Sequence, residues 1–345
     1  MNKKLLAVAV GAVLSAGPAI ASAGPTLYGR INIGIASVDN GNTADSSTLG
    51  VSEQVSRIGV KGDEDLGGGL KVIYQYETLI DADAGAAPGG NRDVFAGLSG
   101  SWGTARLGFF NSSYKNLSTG LELFGDTIGD LTSYSTAGGA ALTNEARLAN
   151  AISYTSPSFA GLSFGVESSR GEGGLATESN PMALAVSYKA GPLVLGVGMF
   201  DQDNQGTTGL DDATKFVASY AFGPLTVTGI LEQQSAKGTL SATNAEVDTT
   251  HLGVAYKFGN NTLAATWTDY DSTTVNADSQ QIALGLFHAL SKSTVLKFVW
   301  TDIDNDPAST NGGRLATTAN SGVTIGAPAA GSDPSGFELQ LSVAF

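Results

Sequence analysis

The chain has 345 residues, a formal net charge of −14 and no cysteine. The lack of cysteine excludes disulfides and Cys-ligated metal sites, and the negative charge argues against nucleic acid as a partner. Charged residues make up 14% of the chain, below the roughly 25% that is usual in soluble domains. Mean hydropathy is only +0.06, which excludes a helical membrane protein.

The first 23 residues are predicted to be a signal peptide. A basic start at Asn2–Lys4 precedes the apolar stretch Leu5–Ile20, and Ala21–Ala23 supplies the small residues of a cleavage site. The apolar stretch is shorter than the about 20 residues that a transmembrane helix needs. The mature domain is then 24–345, and loss of the two signal-peptide lysines changes the net charge from −14 to −16.

The first strands alternate apolar and polar residues, as expected for strands with two different faces. Strands are predicted at Thr26–Val38, Ser56–Gly62, Leu70–Thr78, around Val94–Leu98 and at Thr104–Phe110. Four basic residues fall on the polar faces: Arg30, Arg57, Lys61 and Arg106. A solvated face of a soluble sheet is one interpretation of this pattern, and a basic wall that lines a pore is the other.

The stretch from Asn111 to Arg147 breaks the alternation, and long loops inside compact folds are usually functional. It contains a predicted helical turn at Leu121–Phe124, and several apolar side chains suited to anchor it against a wall. Its carboxylates Glu122, Asp126 and Asp130 are expected to face the basic wall. Opposed charges across a narrow water-filled lumen orient solutes and set ion preference, but here they leave the sign of that preference open.

Alternation resumes at Asn150 and continues to the closing strand Gly336–Phe345. In that strand one face carries Phe337, Leu339, Leu341, Val343 and Phe345, and the other carries Glu338, Gln340, Ser342 and Ala344. The count is about sixteen strands, joined alternately by short turns and long acidic loops. With a secretion signal in front, this pattern predicts an all-β fold, a transmembrane antiparallel β-barrel. The closing strand then pairs with the first, because lipid tolerates no open sheet edge.

Several motifs resemble general diffusion porins of β-proteobacteria, the Neisseria-type family. Ser56–Leu70 reads as the family's second strand and turn, and weaker similarity is carried by Leu27–Gly29, Gly97–Gly100 through Arg106–Gly108, Ser153–Pro157 and Leu290–Lys292. The resemblance covers the whole mature chain. It implies a trimer of sixteen-stranded barrels, each with its long third loop folded into the lumen.

Other chemistries have weaker support in the sequence. His251 and His288 are the only imidazoles, and nothing places a serine beside either for an outer-membrane lipase. Asp201–Asp212 roughly has the spacing of a calcium loop, but a solvated acidic loop explains it better, because its flanks are strands and Gln205 is a poor ligand. In the similar run Asp302, Asp304 and Asp306, Pro307 replaces the glycine that a calcium loop needs. No enzyme activity, metal or cofactor is expected.

The sequence therefore predicts a passive, water-filled channel for ions and small hydrophilic solutes in the outer membrane of a Gram-negative bacterium. Phe345 is predicted to be the signal by which the barrel-assembly machinery recognises the closing strand. The other expected partners are outer-membrane lipids, two further copies of the chain, ions and small polar solutes. Two alternatives remain open: a substrate-specific channel of the same fold, and a secreted β-rich binding or adhesion protein.

Overall fold

The computed structural model describes residues 24–42, 47–131, 147–171, 180–202, 209–237, 246–273, 276–315 and 328–345. The predicted signal peptide, 1–23, lies outside the described residues.

The chain forms a closed antiparallel barrel of sixteen strands, the second of which is interrupted. The interrupted strand consists of β2 and β3, which both pair with β1. The strands are β1 Thr26–Asp39, β2 Thr48–Glu53, β3 Arg57–Gly67, β4 Leu70–Leu79, β5 Asn91–Gly100, β6 Gly103–Asn111, β7 Arg147–Thr155, β8 Leu162–Ser169, β9 Met182–Ala190, β10 Leu193–Asp201, β11 Gly209–Phe222, β12 Leu225–Lys237, β13 Glu246–Phe258, β14 Asn261–Ser272, β15 Ser279–Ala289, β16 Thr294–Asn305 and β17 Ser335–Ala344. A helix α1, Ser113–Ser118, and a 3-10 turn, Gly313–Leu315, complete the regular structure of the described residues.

The seam between β1 and β17 closes the barrel, as the alternation of the last strand predicted. The two strands pair in register from Arg30 opposite Ala344 to Asp39 opposite Ser335. Next to this paired stretch, Gly29 of β1 and Phe345 exchange two backbone hydrogen bonds, Gly29 N to Phe345 O at 3.0 Å and Phe345 N to Gly29 O at 3.1 Å. The sheet consequently has no free edge at this seam.

The two faces of the sheet differ in the way that the sequence predicted. On β17, Phe337 and Leu339 are about half exposed, whereas Glu338 and Gln340 are almost fully buried. The same contrast recurs around the barrel: apolar side chains are exposed on the outer wall and polar side chains are buried on the inner wall. An exposed apolar band of this kind suits contact with lipid.

Connection lengths alternate along the chain, with short turns at one end of the barrel and long loops at the other.

Three details of the sequence interpretation were wrong. The sequence predicts a polar loop at Asp39–Leu49, but β2 begins at Thr48 and was not predicted as a strand. The strand predicted at Ser56–Gly62 continues to Gly67 as β3, so the turn there is short. The helical turn in the long third loop is α1, not Leu121–Phe124, because Ser112 caps a helix there and no helix forms at Leu121–Phe124. In the described part of the chain, no helix is long and apolar enough to cross a membrane.

Candidate functional site

The third long loop begins with α1, whose start follows from one side chain. Ser112 has extended backbone angles, and its hydroxyl accepts a hydrogen bond from the backbone N–H of Lys115 at 3.1 Å. This is the usual way in which serine satisfies a free N–H group at a helix start. Gly120, with a φ of +88°, follows the helix end and redirects the chain at a backbone angle that other residues rarely adopt.

Helix α1 contacts β10, β11 and β12 through buried side chains. A Cβ atom at Gly198 would lie 2.7 Å from Leu117 and 3.0 Å from Tyr114, so the helix approaches the strand more closely than any larger residue would allow. The Tyr114 hydroxyl donates to Glu232, and the Lys215 ammonium lies 4.4 Å from the centre of the Tyr114 ring. These contacts fix the position of α1 against the sheet.

The next part of the loop contacts β15 and β17. The Phe124 ring packs edge-on against the Phe287 ring, with 5.6 Å between the ring centres. A Cβ atom at Gly285 would lie 2.7 Å from the Phe124 ring. Glu338 accepts from the backbone N–H of Ile128 at 3.1 Å, and Gln340 donates to the carbonyl of Asp126 at 2.9 Å. The described part of the loop, residues 112–131, is thus attached to strands at both of its ends.

Beside this loop lies a cavity of about 510 Å³ with an unusual concentration of charge, which we call cavity A. Its cations are Arg30, Arg57, Arg92, Lys115, Arg147 and Arg314, and its carboxylates are Glu122, Asp126 and Asp130. Leu79, Asn111 and Arg147 stand at the strand ends that lead into long loops, so cavity A is on the long-loop side of the barrel.

Asp126 holds two of the predicted basic residues together. Arg30 and Arg57 are directly opposite each other on β1 and β3, where like charges repel. One carboxylate oxygen of Asp126 lies 2.8 Å from Arg57 Nη1 and 3.6 Å from Arg30 Nη1. Arg30 keeps 40% of its side-chain surface exposed, against 17% for Arg57, so Arg30 is the more accessible of the two cations.

The break between β2 and β3 orients Arg57. Val55 has a φ of +58°, which is costly for a β-branched residue and marks a constrained position. Its carbonyl accepts a hydrogen bond from Arg57 Nη1 at 3.1 Å. The flanking backbone is fixed by Asn32, which donates to the carbonyl of Gln54 at 2.7 Å and through its own N–H to the hydroxyl of Ser56 at 2.9 Å. The interruption therefore supplies an acceptor for the guanidinium.

The other two predicted carboxylates have different contacts. Asp130 accepts a hydrogen bond from the backbone N–H of Asp126 at 3.1 Å and lies 3.6 Å from Arg314. Arg314 belongs to the 3-10 turn in the long connection between β16 and β17. Glu122 accepts from the backbone N–H of Leu131 at 2.6 Å. Asp130 thus links two loops, and Glu122 closes the turn of the loop to which it belongs.

Four cations of cavity A were not proposed from the sequence: Arg92, Lys115, Arg147 and Arg314. Arg92 has the same parity as the outward-facing Val94 and Ala96, which predicts the wrong face. A register shift between Tyr76 and Thr78 opposite it adds one residue to β5, and such a bulge turns the following side chains to the other face. Arg92 pairs with Glu77, and Arg147 lies 2.7 Å from Asp93.

The remaining predicted site residues lie outside cavity A. Lys61 stands 4.8 Å from the centre of the Tyr28 ring, in the middle of β3 and opposite Thr26 at the start of β1. Arg106 lines a second cavity, described below. Phe345 is 55% exposed at the seam, with its ring over Gly29.

The described residues offer no support for the catalytic and metal-binding alternatives considered from the sequence. His251 is buried with its Nδ1 2.8 Å from the hydroxyl of Thr268, and His288 Nδ1 is 2.8 Å from Asn261 Oδ1. Within the described ranges, no group of three or more His, Asp or Glu side chains is arranged to hold a metal ion. The central residues of the proposed calcium loop, 203–208, lie outside these ranges.

The family model for Gram-negative porins matches residues 6–308. The chain belongs to the Gram-negative porin family. It is 32% identical to outer membrane porin protein 32 of Delftia acidovorans over the full length of both chains. It is 30% identical to major outer membrane protein P.IB of Neisseria meningitidis, with 85% of this chain and 91% of the relative covered. The resemblance predicted from Ser56–Leu70 is thereby confirmed.

A solved structure supports the same assignment. An anion-selective porin from Comamonas acidovorans superposes with a TM-score of 0.82 at 28% identity, and the match covers 93% of this chain and 99% of that one. The protein of the present sequence is therefore a passive channel in the outer membrane of a Gram-negative bacterium, as the sequence predicted. The alternative of a secreted binding or adhesion protein is wrong, because family and fold place the chain in the outer membrane.

Proposed function

We propose that this porin is a general diffusion channel with a preference for anions, and that cavity A is its narrowest part. In this proposal the loop 112–131 folds into the lumen, as predicted from the family resemblance. The supporting observation is that α1 contacts β10–β12 while Phe124 and Ile128 contact β15 and β17. The helix packs chiefly on β9 and β10, and β17 is seven strands away from β10 around the sheet. Attachment of one segment at both places supports a path of the loop through the lumen.

The charges of cavity A favour anions. Its described lining has six cations and three carboxylates, a net charge of +3. Glu77 and Asp93 pair with Arg92 and Arg147 from the wall, which leaves +1 when they are counted. An anion that passes Arg30, whose side chain is 40% exposed, meets a field that attracts it and repels a cation.

The net charge of −14 for the whole chain acts in the opposite direction but at longer range. Charges on exposed loops are screened over about 8–10 Å at physiological ionic strength. A permeating ion in a narrow cavity is closer than that to the lining groups. Local charge therefore outweighs the overall charge in setting selectivity. The similar porin from Comamonas acidovorans is anion-selective, which is consistent with this proposal.

The test is planar-bilayer recording in a tenfold KCl gradient. An ideally selective pore gives a reversal potential of about 59 mV for a monovalent ion, and we expect a value of the sign that chloride preference produces. A reversal potential of the cation-selective sign would reject the proposal. Saturable block by one solute class would instead favour the substrate-specific channel of the same fold.

The same proposal covers the secretion of the chain, its oligomeric state, its assembly into the membrane and the driving force of transport. Residues 1–23 act as a cleaved signal peptide and 24–345 form the mature barrel. The mature chain assembles as a homotrimer. The closing strand, ending at Phe345, engages the barrel-assembly machinery. The solute gradient alone drives transport, so the protein catalyses no reaction and needs no cofactor.

A further inference from the structure

A second cavity lies on the other side of the third loop from cavity A. This cavity, which we call cavity B, has a volume of about 480 Å³ and shares Thr119 and Gly120 with cavity A. Its lining includes Thr155 at the end of β7, Ser163 near the start of β8 and Lys189 near the end of β9. These positions adjoin short turns, so cavity B opens towards the short-turn end, which is periplasmic in porins.

Arg106 is the central cation of cavity B. Its guanidinium carbon lies 4.3 Å from the centre of the Phe110 ring and 5.2 Å from that of Phe95. Its Nε donates to the hydroxyl of Ser153 at 3.2 Å. Stacking and this hydrogen bond fix the plane of the guanidinium. No partner among the described residues occupies its two terminal nitrogens, which form the fork that binds oxyanions in two-point contacts.

The other polar groups of cavity B complement an anion. Lys189 is exposed, and its ammonium group makes no hydrogen bond or ion pair within the described residues. The hydroxyls of Ser163 and Ser187 are 2.9 Å apart, so one hydrogen of the pair bridges them and the other remains free to donate. Glu167 is the one carboxylate of the described lining; it is buried, and one of its oxygens accepts from Ser113 at 2.6 Å.

We propose that cavity B is a second binding station, which takes a small oxyanion such as a phosphate or carboxylate group on its way past the loop. Arg106 makes the direct contact. Lys189, three strands away, attracts the anion at longer range. Channels conduct well when a permeating ion has several weak sites rather than one strong one. This inference rests on the proposed anion preference and extends it to the periplasmic half of the channel.

The experiment uses inorganic phosphate as a blocker of chloride current through the purified porin in a planar bilayer. Phosphate is added to one chamber at a time, so each channel gives two block constants. The orientation of insertion is assigned with Ser291→Cys, in the exposed turn after β15, labelled from one side by a membrane-impermeant thiol reagent. The chain has no other cysteine, so the label reports only that turn.

We expect Lys189→Gln to weaken block from the turn side by about threefold and Arg106→Gln by about tenfold, on the Coulomb scale for a unit charge a few ångströms away in water. Block from the loop side should stay unchanged in both variants. Lys292→Gln is the matched control, because it removes a lysine from an exposed short turn outside cavity B.

Three results would overturn the second station. They are absence of turn-side block in the wild type, unchanged turn-side block in Lys189→Gln, and equal weakening from both sides. The Lys189 ammonium makes no hydrogen bond or ion pair within the described residues, so assembly is preserved in Lys189→Gln even where Arg106→Gln prevents it. Failure of the anion preference itself would appear separately, in the reversal potential of the wild type in KCl.

Discussion

Reversing the charge at Arg57 tests whether cavity A sets ion preference. In Arg57→Glu the described lining changes from six cations and three carboxylates to five and four, so its net charge falls from +3 to +1. When the paired wall carboxylates Glu77 and Asp93 are counted, it falls from +1 to −1. The local field therefore changes by two charge units, and in the second count it changes sign.

The size of the effect follows from Coulomb's law. A unit charge acts on an ion about 6 Å away in water with roughly 0.7 kcal/mol, so two units give about 1.4 kcal/mol. That energy changes the entry of each ion about tenfold. Because the anion and the cation change in opposite directions, the ratio of anion to cation entry changes by about a hundredfold before salt screening. We expect the reversal potential in a tenfold KCl gradient to move by tens of millivolts towards cation preference, and further at low salt, where screening is weaker.

The control for this experiment separates charge from distortion. Arg57→Glu places two carboxylates together where Arg57 now lies 2.8 Å from Asp126, so the loop itself is perturbed. The reciprocal exchange, Arg57→Asp with Asp126→Arg, keeps the pair and the net charge, and should return the reversal potential towards the wild-type value. A reversal potential that stays at the wild-type value in Arg57→Glu at low salt, or that moves towards anions, would refute the reasoning.

Three further predictions concern the loop, the seam and the assembly. Phe124→Ala should raise conductance and current noise, because truncating a buried aromatic costs about 3–5 kcal/mol of packing and loosens the attachment of the loop to β15. Phe216→Ala, on the exposed outer wall, is the control and should leave conductance unchanged. Equal conductance in both variants would place the loop away from the current path. Deleting Phe345 should reduce the amount of heat-modifiable barrel in the outer membrane, since it removes the two backbone hydrogen bonds to Gly29, and normal membrane levels would contradict its role. Cross-linking in mild detergent should trap a threefold species, and monomers alone under several detergents would argue against a trimer.

The sequence determined the barrel because the side of a strand to which a side chain points depends only on its position along that strand. Period-two alternation shows that Glu338 and Gln340 share one face and that Phe337 and Leu339 share the other, without knowledge of the neighbouring strands. The burial of these residues agrees with that reading. Turn and loop lengths are equally local, so the sixteen-stranded architecture and the inward parity of Arg30 and Arg57 followed from the sequence.

The composition of the charged cavity was decided only by tertiary structure. Arg92 is turned to the other face by a bulge whose position depends on pairing with β4, and no feature of β5 alone reveals it. Arg314 and Asp130 are brought together from two loops that are far apart in the chain. Asp126 contacts both Arg30 and Arg57 because Phe124 and Ile128 fix its segment against β15 and β17. Such contacts depend on the register and closure of the whole sheet, which the alternation of any single strand does not encode.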